Sequence, residues 1–121
     1  MEDIRPAVIT ATSRRTSPLR YMLGAIQNPV RFQLIAALID GGEFTVAELN
    51  EFVPDLSQSS LSQHLSKLRR AHIVKTRRKS QNIYYKIGDT RVNELMKSLE
   101  EFYRDDKMFK DVRKVRRHLA N

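Results

Sequence analysis

The stretch Ser57-Gln58-Ser59-Ser60-Leu61-Ser62-Gln63-His64-Leu65-Ser66-Lys67-Leu68-Arg69-Arg70-Ala71 decides how this chain is read. Leu61, Leu65 and Leu68 recur at spacings of four and three, the repeat of one helix face. Ser57 stands before them as a cap. The leucines must pack inward. The outward face holds Gln58, Ser59, Ser62, Gln63 and Ser66, with His64 and Lys67. A helix face that meets only water favours Glu, Lys and Arg, which have good helix propensity. Serine competes with the backbone for hydrogen bonds and is a poor choice for a helix interior. So many serines and amides suit a face that fits closely against something polar. The DNA major groove is such a surface, because Gln bonds the adenine edge in a bidentate way and Ser bonds several bases. A plain solvated face is the alternative reading.

The flanks of this helix give it a setting. Before it, Thr45 and Glu48 make the reciprocal capping-box pattern and predict a short helix over 46–52, closed by Pro54-Asp55. After it, residues 73–79 and 82–87 alternate like two strands, with Ser80-Gln81 at the turn. Ile83, Tyr85 and Ile87 share one face of the second strand, and Tyr84 and Lys86 the other. Further upstream, Asn28-Pro29 caps and starts a helix carrying Val30, Phe32, Leu34, Ile35, Leu38 and Ile39, apolar on most sides and ended by Gly41-Gly42. Ser17-Pro18 opens another helix, with Leu19, Met22, Leu23 and Ile26 on one face. Downstream, Gly88-Asp89 ends the hairpin and Asp89 or Thr90 caps a last helix. The succession α-α-α-α-β-β-α is mainly α with a small β-hairpin, an α+β chain of winged helix-turn-helix order. It divides into a flexible basic arm over 1–17, the winged domain over 18–106 and a basic helical extension over 107–121.

Charge agrees with a polyanionic partner. Lys and Arg total 22 against 14 Asp and Glu, a net charge of +8. Nucleic acid is the first expectation and an acidic membrane surface the second. Lys75, Arg77, Arg78 and Lys79 crowd one strand, and no acidic residue occurs from Lys67 through Gly88. Such charges repel on an isolated hairpin. DNA phosphates remove that repulsion and release counterions. An edge strand charged against aggregation is the plainer alternative. The expected DNA contacts are Gln58, Ser59 and Ser60 at base edges, then Ser62, Gln63 and His64. Lys67 is assigned to phosphate, and Arg77, Arg78 and Lys79 to the DNA backbone or the minor groove, with Gln81 near the wing tip.

Several function classes drop out. The chain has no cysteine, so disulfides, thiolate metal sites and thiol redox chemistry are excluded. Met1-Glu2-Asp3-Ile4-Arg5-Pro6 lacks a signal-peptide layout, and no apolar stretch reaches the roughly 18 residues of a membrane span. A cytoplasmic protein is expected. His64, His72 and His118 lack ligand spacing, so no metal or other cofactor is expected. No paired carboxylates, glycine-rich phosphate loop or Ser-His-Asp arrangement supports an enzyme.

Asn28-Pro29-Val30-Arg31, the run from Leu56 through Leu68, Ile73-Val74-Lys75-Thr76-Arg77-Arg78 and Ile83-Tyr84-Tyr85 together resemble the arsenic-repressor-type (ArsR/SmtB) family of winged-helix regulators. The resemblance spans about residues 19–104, and it is strongest to the branch of nodulation repressors and haemolysin regulators. It implies a homodimer whose first and last helices form the interface. It also implies binding to an imperfect promoter palindrome in double-stranded DNA, usually as a repressor. The family's cysteine sensors have no counterpart here, and the last helix, 89–106, lacks the histidine of its zinc sites. No effector is therefore assigned. A glycine-arginine pair common at the wing tip is replaced by Ser80-Gln81.

The dimer face is expected to combine Leu19, Met22, Leu23 and Ile26 with Val92, Leu95, Met96, Leu99, Phe102 and Tyr103. Both stripes also have the option of covering the monomer's own core. In the extension, Met108, Val112, Val115 and Leu119 keep spacings of four, three and four among Lys110, Arg113, Lys114, Arg116 and Arg117. Such a basic amphipathic helix suits packing on the dimer with electrostatic help to DNA, a membrane surface, or a solvated tail.

Overall fold

A computed structural model describes residue 8 and residues 10–120. Its elements are α1 (Ala11–Thr16), α2 (Pro18–Gln27), α3 (Pro29–Leu38), α4 (Val46–Asn50), α5 (Gln58–Arg70), β1 (Val74–Lys79), β2 (Asn82–Ile87), α6 (Thr90–Phe102) and α7 (Lys107–Ala120). From α2 to α6 this is the expected winged helix-turn-helix order. Two departures lie at the ends. Part of the 1–17 segment expected to be irregular is helical, with the Arg14 amide donating to the Thr10 carbonyl at 3.1 Å. Residues 1–7 and 9 of that segment lie outside the described residues. The second departure is that α7 belongs to the body of the fold.

Helix starts follow side-chain chemistry. Asn28 Oδ1 accepts the Arg31 amide at 3.1 Å and opens α3, with Pro29 in the first turn. Thr45 and Glu48 close both halves of the capping box at 2.9 and 3.2 Å. Ser57 Oγ accepts the Ser60 amide at 3.1 Å, so α5 starts where its cap dictates. Asp89 performs the same service for α6. Ser17 occupies the cap position of α2 but its side chain accepts no bond, and Pro18 alone marks that start.

The turns set the angles. After α3 the chain reverses through Asp40 at φ 59° and Gly41 at φ 78°. A Cβ on Gly42 would meet the Ala37 carbonyl oxygen at 3.0 Å, a tight contact that favours glycine there. The α4 helix ends two residues earlier than the pattern over 46–52 predicts. Phe52 and Val53 continue in tighter turns and are buried. Asn50 Nδ2 donates to the carbonyls of Val53 and Leu56 at 3.1 and 3.4 Å, fixing the turn between α4 and α5.

The hairpin pairs Lys79 with Asn82, leaving Ser80-Gln81 as a two-residue turn. Ser80 sits at φ 57°, a left-handed conformation more usual for glycine. Phe44 and Tyr85 exchange backbone bonds at 3.1 and 2.8 Å, which adds a one-residue third strand outside β2.

The core surrounds α3. Leu34 to Ile39 are all buried, which is why this helix is apolar on every side. Leu61, Leu65 and Leu68 of α5 reach the core as expected. So do Val92 and Met96 of α6, and Phe109 and Val112 of α7. The Phe109 ring meets Phe32 edge-on at 5.7 Å between centroids. Burying one such ring stabilises by about 1.5–3 kcal/mol. Arg116 donates to the Ala36 carbonyl at 2.9 Å, and both Arg113 and Arg116 reach Glu100. The extension thus packs on α3 of its own chain.

Candidate nucleic-acid interface

The capped start of α5 leaves Gln58 and Ser59 exposed in its first turn. Ser62, Gln63, Ser66 and Lys67 extend the same open face, while Ser60 is half-buried. No carboxylate belongs to this helix, and its last turn carries Lys67, Arg69 and Arg70, which oppose the negative end of the helix dipole. The outward face offers hydroxyl and amide donors and acceptors in a row, with leucine behind them. That arrangement can meet base edges without burying an unpaired charge.

His64 lies at the border of this face and is half-buried. Its Nδ1 is enclosed and has no hydrogen-bond partner. Burial, with the neighbouring charges of Arg31 and Lys67, holds its pKa below the ordinary histidine value. Arg31 itself is turned toward α2, where it donates to the Gly24 and Ala25 carbonyls at 3.3 and 3.4 Å. A cleft of about 280 Å³ beside the end of α5 is lined by Arg20, Arg31 and Lys67 with Tyr21, and by no acidic residue.

On the wing, Arg78, Lys79 and Gln81 are exposed, and the two cations form no ion pair among the described residues. Arg77 differs. Its guanidinium grips Glu43, with Nε–Oε1 at 3.1 Å and Nη2–Oε2 at 2.6 Å, and lies over the Tyr84 ring at 5.8 Å. Lys86 Nζ adds a contact to Glu43 at 3.4 Å. The Arg77 bonds first, and Lys86 after them, hold the Glu43 carboxyl below its usual range despite some burial. Reading by sequence groups Arg77 with Arg78 and misses Glu43. The two partners stand 34 positions apart, and only the pairing of Phe44 with β2 brings them together.

The expected dimer face divides. Leu19 (57% exposed), Leu23 (48%), Phe102 (80%) and Tyr103 (60%) are open apolar side chains. Met22, Ile26 and Leu99 are half-buried and pack on the core, and Leu95 is half-buried too. Val92 and Met96 are 1% and 0% exposed and belong to the monomer's core, which corrects their assignment to the interface.

Among the described residues, no three His, Cys, Asp or Glu side chains are placed to hold a metal ion. No helix there is long and apolar enough to cross a membrane.

Comparison with known proteins places these features in company. A helix-turn-helix domain family matches residues 26–77. The transcriptional activator HlyU of Vibrio cholerae serotype O1 is 39% identical over 82 residues, 68% of this chain and 74% of that protein. The solved structure of HlyU from Vibrio cholerae N16961 superposes with a TM-score of 0.66 at 36% identity, covering 74% of this chain and 96% of the other. The nodulation protein NolR of Rhizobium meliloti is 43% identical over 84 residues, 69% of this chain and 67% of its own. The biofilm growth-associated repressor of Xylella fastidiosa is 32% identical over 99 residues, 81% and 85% of the two chains.

Proposed function

This chain belongs to the ArsR/SmtB-type winged helix-turn-helix family of DNA-binding transcriptional regulators, and from that premise we propose that it is a repressor binding a promoter palindrome as a homodimer in the cytoplasm. The observation that carries the reading is the surface of α5. Its three leucines are consumed by the core, Gln58, Ser59, Ser62, Gln63 and Ser66 stand exposed, and on the wing Arg78 and Lys79 are exposed with no ion pair among the described residues. In this docking mode the first turn of the recognition helix meets base edges. Gln58, Ser59 and Ser60 take that role, with Ser62, Gln63 and His64 following. Lys67, Arg78 and Lys79 hold phosphates, and Gln81 lies at the wing tip. Arg77, bound to Glu43, is left off the phosphate list.

Leu19 and Leu23 of α2 and Phe102 and Tyr103 of α6 supply the interface. Exposed apolar groups of this size on a domain this small favour association, and two-fold symmetry in the protein is mirrored by inverted repeats in the DNA. The relatives include a transcriptional activator and a repressor. The reading as repressor follows the family's common use.

Selection of bound duplexes from a random-sequence pool, followed by gel shifts, tests this. The expected product is an inverted repeat with half-sites about one helical turn apart. Binding to it should exceed that to scrambled DNA by about a thousandfold or more at physiological salt. Equal binding to every duplex overturns the reading. Sedimentation separates dimer from monomer, and a reporter under the selected promoter gives the sign of regulation.

A further inference from the structure

One face of the wing concentrates positive charge. The register sets Lys75, Arg77 and Lys79 of β1 on the same side as Asn82, Tyr84 and Lys86 of β2, with Lys75 directly across from Lys86. Like charges in that position destabilise a hairpin. Among the described residues, the carboxylate ion-paired to this face is that of Glu43. It arrives from outside the hairpin. The Phe44–Tyr85 bridge lays residues 43–45 along the outer edge of β2. Antiparallel pairing then sets Glu43 beside Lys86, and its side chain reaches across β2 to Arg77.

We propose that Glu43 is a built-in counterion that withholds Arg77 from DNA phosphate and fixes the wing against the helix-turn-helix, making it a positioning residue for DNA binding. The inference rests on the DNA-binding reading above. Two arguments carry it. First, a phosphate seeking Arg77 must displace a bidentate carboxylate, the strong geometry for a guanidinium. It releases little counterion in return, because Arg77 is already neutralised. Second, the segment that delivers Glu43 runs directly into Thr45, which caps α4, and α4 is tied through Asn50 to the start of α5. The clamp therefore links the wing's angle to the helix that reads bases. Arg78 lies on the other face of β1 and keeps its charge free for phosphate.

The salt dependence of binding to a short mixed-sequence duplex counts the cations engaged, which a merely structural role does not move. Glu43→Gln keeps the shape and removes the charge. It should steepen the slope of log K against log salt by about 0.9 for each cation it frees. Adding Arg77→Ala should take the Arg77 increment away. Arg77→Ala alone should leave the wild-type slope unchanged, and it reads the same pair without altering Glu43. Thermal unfolding of each variant separates loss of fold from loss of the clamp. If Glu43→Gln proves unstable, Glu43→Asp tests the reach, because a carboxylate one methylene shorter loses the bidentate grip. A Glu43→Gln slope equal to wild type overturns the proposal, as does an Arg77→Ala slope flattened by about 0.9. A wild-type chain that binds no duplex at all overturns the DNA-binding reading itself, and the proposal with it.

Discussion

Helices α5 and α7 look alike as strings and behave differently in the fold. Each carries an apolar stripe at helical spacing, and each is rich in cations near its end. On α5 the leucines are buried and the polar face is left open, with Lys67, Arg69 and Arg70 exposed. On α7 the two central arginines turn inward. Arg113 bonds Glu100 and the Arg104 carbonyl, and Arg116 bonds Glu100 and the Ala36 carbonyl. The same residue type serves a surface in one helix and a seam in the other. Basic charge in a sequence is therefore no measure of nucleic-acid contact until its partners are known. The wing repeats the lesson on a smaller scale, where adjacent Arg77 and Arg78 have opposite fates.

The comparison breaks most visibly at Phe109. If α7 is a seam of the core, Phe109→Ala should cost about 3–5 kcal/mol in denaturant unfolding. A solvated tail would leave stability unchanged. On the α5 side, Gln58→Ala should lose about 1–3 kcal/mol of discrimination at one base position per half-site of the selected operator. An equal loss on every sequence would place Gln58 among backbone contacts. The two kinds of arginine are told apart by salt. Arg78→Ala should flatten the salt slope by about 0.9, whereas Arg113→Ala should leave it as it is while lowering stability.

The smallest expected effect concerns His64. Its folded pKa lies below its unfolded value because burial and the charges of Arg31 and Lys67 disfavour the imidazolium. As pH falls through the ordinary histidine value of about 6.5, the unfolded chain takes up the proton before the folded one does. Stability should drop across that window and level off once the folded form also protonates. His64→Gln should flatten the drop, read as the urea midpoint against pH. An undiminished drop would assign it to other groups.

Much of this was open to reading from residues alone. The caps at Asn28, Thr45, Ser57 and Asp89 use short-range bonds between neighbours. Positions three apart in a sequence meet whatever the rest of the chain does. The leucine stripe of α5 and the two-residue wing turn are local in the same sense. What escaped was long-range. Phe109 falls outside the four-three-four stripe of its helix, yet it is the ring that meets Phe32. Val92 and Met96 share the stripe of Leu95 and Leu99, and periodicity alone has no means of dividing a stripe between core and partner.

The sequence by itself determined the elements, their order and the character of the reading face, because these depend on contacts within a turn or two of helix or across a tight hairpin. Only the tertiary structure decided which cations are free. Glu43 and Glu100 meet arginines 34 and 13 or 16 positions away. Those distances are set by the Phe44–Tyr85 bridge and by the packing of α7 on α3. Charge pairing needs approach to a few ångströms, and no periodicity in a string encodes which remote segments the core will bring that close.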